Sequence, residues 1–345
     1  MKKKDQPHDI FDDVWRPSSP KETERVLNVM KLIVEGEDAK AMREIDSMLK
    51  ENPKNTMPYI LKATAETLSG DLNSAIDTLQ TARNILPYGD RKRVGIFAME
   101  FTLLEEIRPA KELVEIINKV LEEFPDQAYL LFLRGKTYSR LGKIKKAIHD
   151  LNKVIESKDI TKRQRAIAVQ ELAFCHLYRD RFEDSLRELD RSIKEYNTAS
   201  AHVNKGVVLS AMGRFEDALK EYDEAIKLKP KSKIAHLNKG ILLRKIGKKK
   251  EALKELLIAK KLTEADLKVE INLLGIYLEM CDKKNAFKEL TEIEGIMRES
   301  EALAEKYSKM SYREKTELEK STKATIIGLR TLVIARMTKC DGRNS

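Results

Sequence analysis

Residues 199–232 read ASAHVNKGVVLSAMGRFEDALKEYDEAIKLKPKS, and the pentapeptide HVNKG at 202–206 returns as HLNKG at 236–240, 34 residues later. With Ala199 as position 1, Gly206 falls at 8, Leu209 at 11, Gly213 at 15, Ala218 at 20, Tyr222 at 24, Ala225 at 27 and Pro230 at 32. Sliding this frame along the chain gives eight copies, at 22–55, 56–89, 94–127, 128–161, 166–198, 199–232, 233–266 and 267–300. Position 20 then reads Ala41, Ala75, Leu113, Ala147, Ser185, Ala218, Ala252 and Ala286, and position 15 carries Gly36, Gly70, Gly142, Gly213 and Gly247. A fixed period of this length marks a repeat array whose units bury their apolar faces against neighbours.

The spacing has a direct physical reading. Glycine at 15 ends a first helix, A, in the left-handed conformation, and proline at 32 (Pro53, Pro87, Pro125, Pro230) stops a second, B. Small residues at 8 and 20 let A and B approach closely, while the residue at 24 fills between them. The third copy departs most, with Phe101 at 8, Arg108 at 15 and Leu113 at 20, so altered packing is expected there. Taken together, the frame closely resembles the tetratricopeptide repeat. The resemblance implies an all-α, right-handed superhelical α-solenoid of about eight helix pairs. Residues 301–340, helical by pattern, supply a C-terminal cap or, alternatively, a dimerisation helix; residues 341–345 form a short tail.

Composition narrows the function classes. The 345 residues carry a net charge of +10, which favours acidic partners or nucleic acid. Cys175, Cys281 and Cys340 form neither a CxxC nor an even framework, which predicts a reducing compartment and excludes a zinc ribbon. The basic start is followed by no apolar core of a leader, and no run of 18 apolar residues appears, so a cytoplasmic chain with no membrane role is expected. Position 4, which holds His202 and His236, is elsewhere Arg25, Tyr59, Phe97, Leu131, Val169 and Glu270, which reads as a packing slot rather than a metal site. No GxSxG, HExxH, P-loop or dinucleotide fingerprint is present. No catalytic residue, metal or cofactor is expected, and the chain reads as a non-enzyme.

In the resembled family, positions 2, 5, 6, 9, 12 and 13 of helix A line the concave face. Carried over, position 6 forms a ladder of Asn204, Asn238 and Asn272, whose amides can each pair with the backbone of an extended peptide. Position 5 (Val26, Ile60, Ala98, Phe132, Gln170, Val203, Leu237, Ile271) and the early position 6 residues Leu27, Leu61, Met99 and Leu133 read as an exposed apolar line for a peptide or helix. The family's carboxylate clamp for chaperone C-termini is matched here only by Asn238 and Lys268, so a different protein or peptide partner is implied.

Basic residues gather at the turns between A and B: Lys143, Lys145 and Lys146, then Arg181, Arg214, Lys248, Lys249, Lys250, Lys283 and Lys284. Such a rim can follow a phosphate backbone, which makes an RNA-binding adaptor the alternative function, although aromatics hardly interleave with these cations. Residues 1–21 lie outside the frame and read as a disordered tail with a docking motif, DIFDDVWRP, that places Ile10, Phe11, Val14 and Trp15 at helical spacing. The competing occupants of the groove are this tail and the C-terminal helix.

Overall fold

The computed structural model describes residues 14, 19–263, 266–307 and 312–341. Within them the chain is all helical, with seventeen helices that divide into two compact units, Met1–Tyr178 and Arg179–Ser345. The first unit holds α1 (Pro20–Val34), α2 (Asp38–Glu51), α3 (Met57–Leu68), α4 (Leu72–Asn84), α5 (Lys92–Ile107), α6 (Ala110–Glu123), α7 (Ala128–Arg140), α8 (Ile144–Glu156) and α9 (Lys162–Leu177). The second holds α10 (Phe182–Glu195), α11 (Ala199–Ala211), α12 (Phe215–Leu228), α13 (Lys233–Lys245), α14 (Lys249–Lys261), α15 (Leu267–Glu279), α16 (Lys283–Tyr307) and α17 (Tyr312–Asp341). In each unit consecutive helices pair and the pairs stack in chain order, as tetratricopeptide-type repeats do.

The turns explain the pairing. Gly36, Gly70, Gly142, Gly213 and Gly247 all take φ between 69° and 83°, where a residue with a Cβ is strained. The next amide closes each turn: that of Lys248 reaches the Leu243 carbonyl at 2.9 Å, and that of Arg214 the Leu209 carbonyl at 2.9 Å. Asp180 and Cys281 fill the same frame position at φ 55° and 56°. The third copy lacks this turn, because Arg108 is extended (φ −115°, ψ 141°) ahead of Pro109. With Phe101 and Leu113 both buried where the other copies carry mostly small residues, α5 and α6 approach each other far less than α11 and α12 do.

Close approach is equally specific. A Cβ added to Gly206 would lie 2.5 Å from the Tyr222 ring, and one on Gly240 would lie 2.8 Å from Leu256, so positions 8 and 24 interlock. Helix starts in the second unit are fixed by caps. Thr198 and Ser232 accept from the amides of Ala201 and Ala235, and Asp266 accepts from those of Lys268 and Val269. Each such cap contributes about 1 kcal/mol.

Helix α17 packs on α15 and α16. Val333 and Met337 join the cluster of Leu273, Tyr277, Leu290 and Ile293, and Arg330 grips the buried Glu294 through two hydrogen bonds of 2.5 and 2.6 Å. The reading of the three cysteines as forming no framework is corrected here. Cys281, at the α15–α16 turn, is disulfide-bonded to Cys340 on α17, and Cys175 alone is free and buried. Spacing along the chain did not reveal the pair because its members are 59 residues apart and only the packing of α17 brings them together. The cysteine argument for a reducing compartment goes with it. Of the tail motif, Ile10, Phe11 and Trp15 lie outside the described residues, whereas Val14 lies within them and is buried.

Candidate peptide-binding face

The histidines of the repeated pentapeptide belong to a network that ties helices together. His202 Nδ1 lies 2.6 Å from Glu221 on α12, and His236 Nδ1 lies 2.7 Å from Glu255 on α14. Each glutamate also accepts a lysine of the pentapeptide: Lys205 meets Glu221 at 2.8 Å, and Lys239 meets Glu255 at 2.9 Å. The same lysines reach back to the preceding pair, Lys205 to Asp190 at 2.9 Å and Lys239 to Asp223 at 2.8 Å. Burial pushes the Glu221 and Glu255 carboxyls up, and the His and Lys hydrogen bonds more than reverse it, leaving both below the ordinary range. The expectation of a plain packing slot at position 4 is therefore corrected: a histidine there faces an acid at position 23.

The first unit uses the same frame positions with other residues. Arg25 meets Glu44 at 2.6 Å, and Arg134 grips Asp150 at 2.7 and 2.9 Å while reaching back to Asn118 at 3.0 Å. Gln80 and Glu100 make the equivalent backward link at 2.9 Å. Position 7 is thus a connector between successive repeats. Lysine at this position was visible in both copies of the pentapeptide, but its partners come from a different repeat and no local pattern names them. In the eighth copy Glu270 replaces the histidine and faces Glu289, with Lys260 bridging both at 2.8 Å. Burial and the Glu289 carboxyl push Glu270 up to about 7, against the pull of Lys260. Among the described residues, no three His, Cys, Asp or Glu side chains gather as metal ligands.

Asn204, Asn238 and Asn272 stand at one position of three helices, α11, α13 and α15, and all three are half-buried. Asn272 donates to the Lys268 carbonyl of its own helix at 2.7 Å. Asn238 makes no hydrogen bond among the described residues. Exposed Lys268 and Ile271 flank the ladder, and Ile234 at position 2 of α13 adds a further exposed apolar side chain. Deeper in the same helices, Arg244 bonds to Glu279 at 2.8 Å and lies so close to Gly275 that a Cβ there would be 2.5 Å from its guanidinium.

The expected exposed apolar line is corrected except at Leu27, which is 61% exposed, and at Ile271. Ile60 and Leu61 are fully buried, Leu133, Val203 and Leu237 are at most 5% exposed, and Phe132 is partly buried. They pack against neighbouring pairs: Val203 shares a cluster with Ala235 and Leu242, Leu237 with Leu273 and Leu274, and Ile60 with Ile96 of the next pair, whereas Leu61 packs on Val29 and Ile45 of the preceding one. Ile271 keeps 46% of its surface because α15 is the last helix A of the stack. Position 5 therefore serves stacking, and position 6 carries the polar surface in the second unit.

The basic turn residues are largely solvent-exposed. In the first unit, Lys143, Lys145 and Lys146 follow α7, with Lys143 and Lys146 Nζ 6.0 and 5.5 Å from the Tyr138 ring centroid. In the second, Arg181, Arg214, Lys248, Lys250, Lys283 and Lys284 are exposed, while Lys249 is spent on the Glu279 carbonyl at 3.0 Å. Arg214 pairs with Asp217 at 2.8 Å, and Lys245 lies 4.8 Å from the Phe215 ring centroid. Of the aromatic rings beside these cations, Tyr138 is buried and Phe215 partly so.

A family model described as Iml2/Tetratricopeptide repeat protein 39 matches residues 92–329, well over half of the chain. The chain belongs to this family. Solved structures similar to this Iml2/tetratricopeptide 39 member include yeast Tom70, 18% identical with a TM-score of 0.60, the match covering 92% of this chain and 66% of that one. A tetratricopeptide repeat protein from Parabacteroides merdae is 17% identical with a TM-score of 0.53, covering 78% and 98%. The Cut9–Hcn1 hetero-tetramer of the APC/C is 16% identical with a TM-score of 0.52, covering 83% and 52%. The chain thus spans just under two thirds of the Tom70 chain and about half of the third, and at these identities the likeness concerns the fold. No curated protein matches by sequence. Among the described residues no helix is long and apolar enough to cross a membrane.

Proposed function

We propose that this family member is a non-catalytic protein-interaction module, and that the inner face of its second unit holds a peptide segment of a partner protein. The observation that carries the reading is the repeated half-buried amide of Asn204, Asn238 and Asn272 on the first helices of three successive repeats, α11, α13 and α15, flanked by exposed Ile234, Lys268 and Ile271. Stacked helices lie about 8–10 Å apart, so one amide meets about every third residue of an extended chain advancing about 3.3 Å per residue. An amide that donates and accepts matches a peptide group whatever the ligand's side chains, while the apolar and cationic flanks select among sequences.

The test is affinity capture from native lysate by the wild-type chain and by a variant with Asn204, Asn238 and Asn272 all replaced by alanine. A retained protein should lose affinity on the order of tenfold or more, at about 1 kcal/mol per lost hydrogen bond, with helicity unchanged. Equal retention removes the ladder from the mechanism. Retained RNA that survives the triple substitution but is released by Lys248→Glu with Lys250→Glu would favour the rim instead, a reading supported by the exposed cations beside Tyr138 and Phe215.

A further inference from the structure

Helix α17 is apolar on two opposite sides. Ile326, Val333, Met337 and Cys340 are buried on the side packed against α15 and α16. The side turned away carries Ile327, Leu332 and Ile334, exposed by 63%, 58% and 55%. Between Lys323 and Arg336 the one charged side chain is Arg330, which turns back to Glu294, so no charge interrupts this exposed face. Gly328 sits at its centre. Glycine inside a helix costs up to about 1 kcal/mol against alanine. In α11, α13 and α15 a neighbour explains that cost, because a Cβ on Gly206, Gly240 or Gly275 would lie 2.5, 2.8 or 2.5 Å from Tyr222, Leu256 or Arg244. A Cβ on Gly328, as on Gly295 of α16, would meet no atom within 4 Å, so nothing in the described chain calls for this glycine.

We propose that this face joins a second copy of the chain, α17 against α17, antiparallel about a two-fold axis. Exposed Ala324, Gly328, Thr331 and Ala335 follow one another at intervals of four, three and four residues, the spacing of a seam between paired helices. Their small side chains let two helix axes come to about 8 Å. The seam is also complementary to itself. Reversing the second helix about the midpoint of residues 329 and 330 sets Ala324 against Ala335 and Gly328 against Thr331, and brings Ile327 beside Ile334 of the second copy. A two-fold contact demands this property of a single surface, whereas contact with a different protein does not. Two such faces bury on the order of 1,000 Å² in total, the lower limit of a specific interface, so the dimer is weak. This contact uses the side of α17 away from α15 and α16 and does not depend on the asparagine face.

Sedimentation velocity of the full chain across a concentration series tests the proposal, without reductant so that the Cys281–Cys340 bond stays closed. The expected result is a monomer–dimer equilibrium with Kd on the order of 10 μM. Ile327→Lys with Leu332→Lys should raise Kd about tenfold or more, because the charges would be desolvated at the contact. Both side chains are exposed in the single chain, so its helicity and melting temperature at high dilution should not change. Gly328→Leu should weaken the dimer by a similar factor while holding or raising the stability of the dilute monomer, a split that a glycine needed by its own fold would not give. Leu27→Lys with Val34→Lys, on the exposed apolar side of α1, should leave Kd unchanged. A chain still monomeric about fiftyfold above that Kd, or a dimer indifferent to the α17 variants, overturns the proposal. Species that grow beyond the dimer and are dispersed by the α1 variant would assign a head-to-tail contact and overturn the two-fold pairing.

Discussion

At position 6 of helix A, the first unit carries Leu61 on α3 and Leu133 on α7, both buried, whereas the second carries Asn204, Asn238 and Asn272, all half-buried. The connectors differ in the same sense. Arg134 closes on an Asp150 that is 2% exposed, while Lys239 is shared between Glu255 and a half-exposed Asp223. At the positions compared, one frame thus yields buried leucines and a closed ion pair in the first unit and half-buried amides with a shared, part-solvated ion pair in the second. The frame constrains where helices end and how closely they approach, and it leaves the inner-face chemistry open. That freedom is what lets one scaffold present different surfaces.

The sharpest way to break this comparison is to cut the covalent tie peculiar to the second unit. A cross-link closing a loop of 59 residues is worth up to about 4 kcal/mol in chain entropy. Reduction, or Cys340→Ser, should therefore lower the denaturation midpoint of the second unit and speed amide exchange over α15 to α17, with exchange over α5 to α8 unchanged. Equal loss in both regions would show that the two units do not unfold separately.

Next in size is the contrast between connectors. Arg134→Leu leaves Asp150 buried without its cation, and should cost about 3 kcal/mol, the low end for breaking a buried pair because Arg134 is itself part-exposed. Lys239→Leu at the same frame position should cost about 1 kcal/mol, since its partner Asp223 is solvated and Glu255 keeps His236. Urea denaturation of the two variants reads the difference, and equal costs would erase it.

The smallest effect is one of pH. Glu270 holds its proton more tightly folded, near 7, than at its ordinary 4.5, so its contribution to stability is full below 4.5 and is lost as pH rises through about 7. Glu221, Glu255 and Asp266 are held low and act in the opposite sense, losing their contribution only as pH falls below their ordinary range. Between about pH 5 and about pH 7 the second unit should therefore weaken as pH rises, and Glu270→Gln should flatten that slope. Melting temperatures measured across this window check it; an unchanged slope in the variant would assign the pH response elsewhere.

Much of this architecture was legible from the repeat alone. Glycine at 15 required a left-handed turn, and it is there at Gly36, Gly70, Gly142, Gly213 and Gly247; the departures at Phe101 and Arg108 marked the pair that packs differently. The candidate face was legible only in part. Asn204, Asn238 and Asn272 are half-buried at one frame position, as the period places them, but Val203, Leu237, Ile60 and Leu61 were assigned to an open groove and are buried between repeats. Hydropathy names an apolar side chain without saying which of two neighbouring helices covers it.

What the chain's order of residues decides is local: helix ends, the close approach of A to B, and the period that brings equivalent positions into line, all set by contacts within about 34 residues. Stacking decides the rest. It joins Lys205 to Asp190 and Cys281 to Cys340, and it places Val14 against Ile60 and Ile96. Those partners meet only after helix pairs have packed, because burial and distance belong to the assembled interior, and a one-dimensional pattern carries neither.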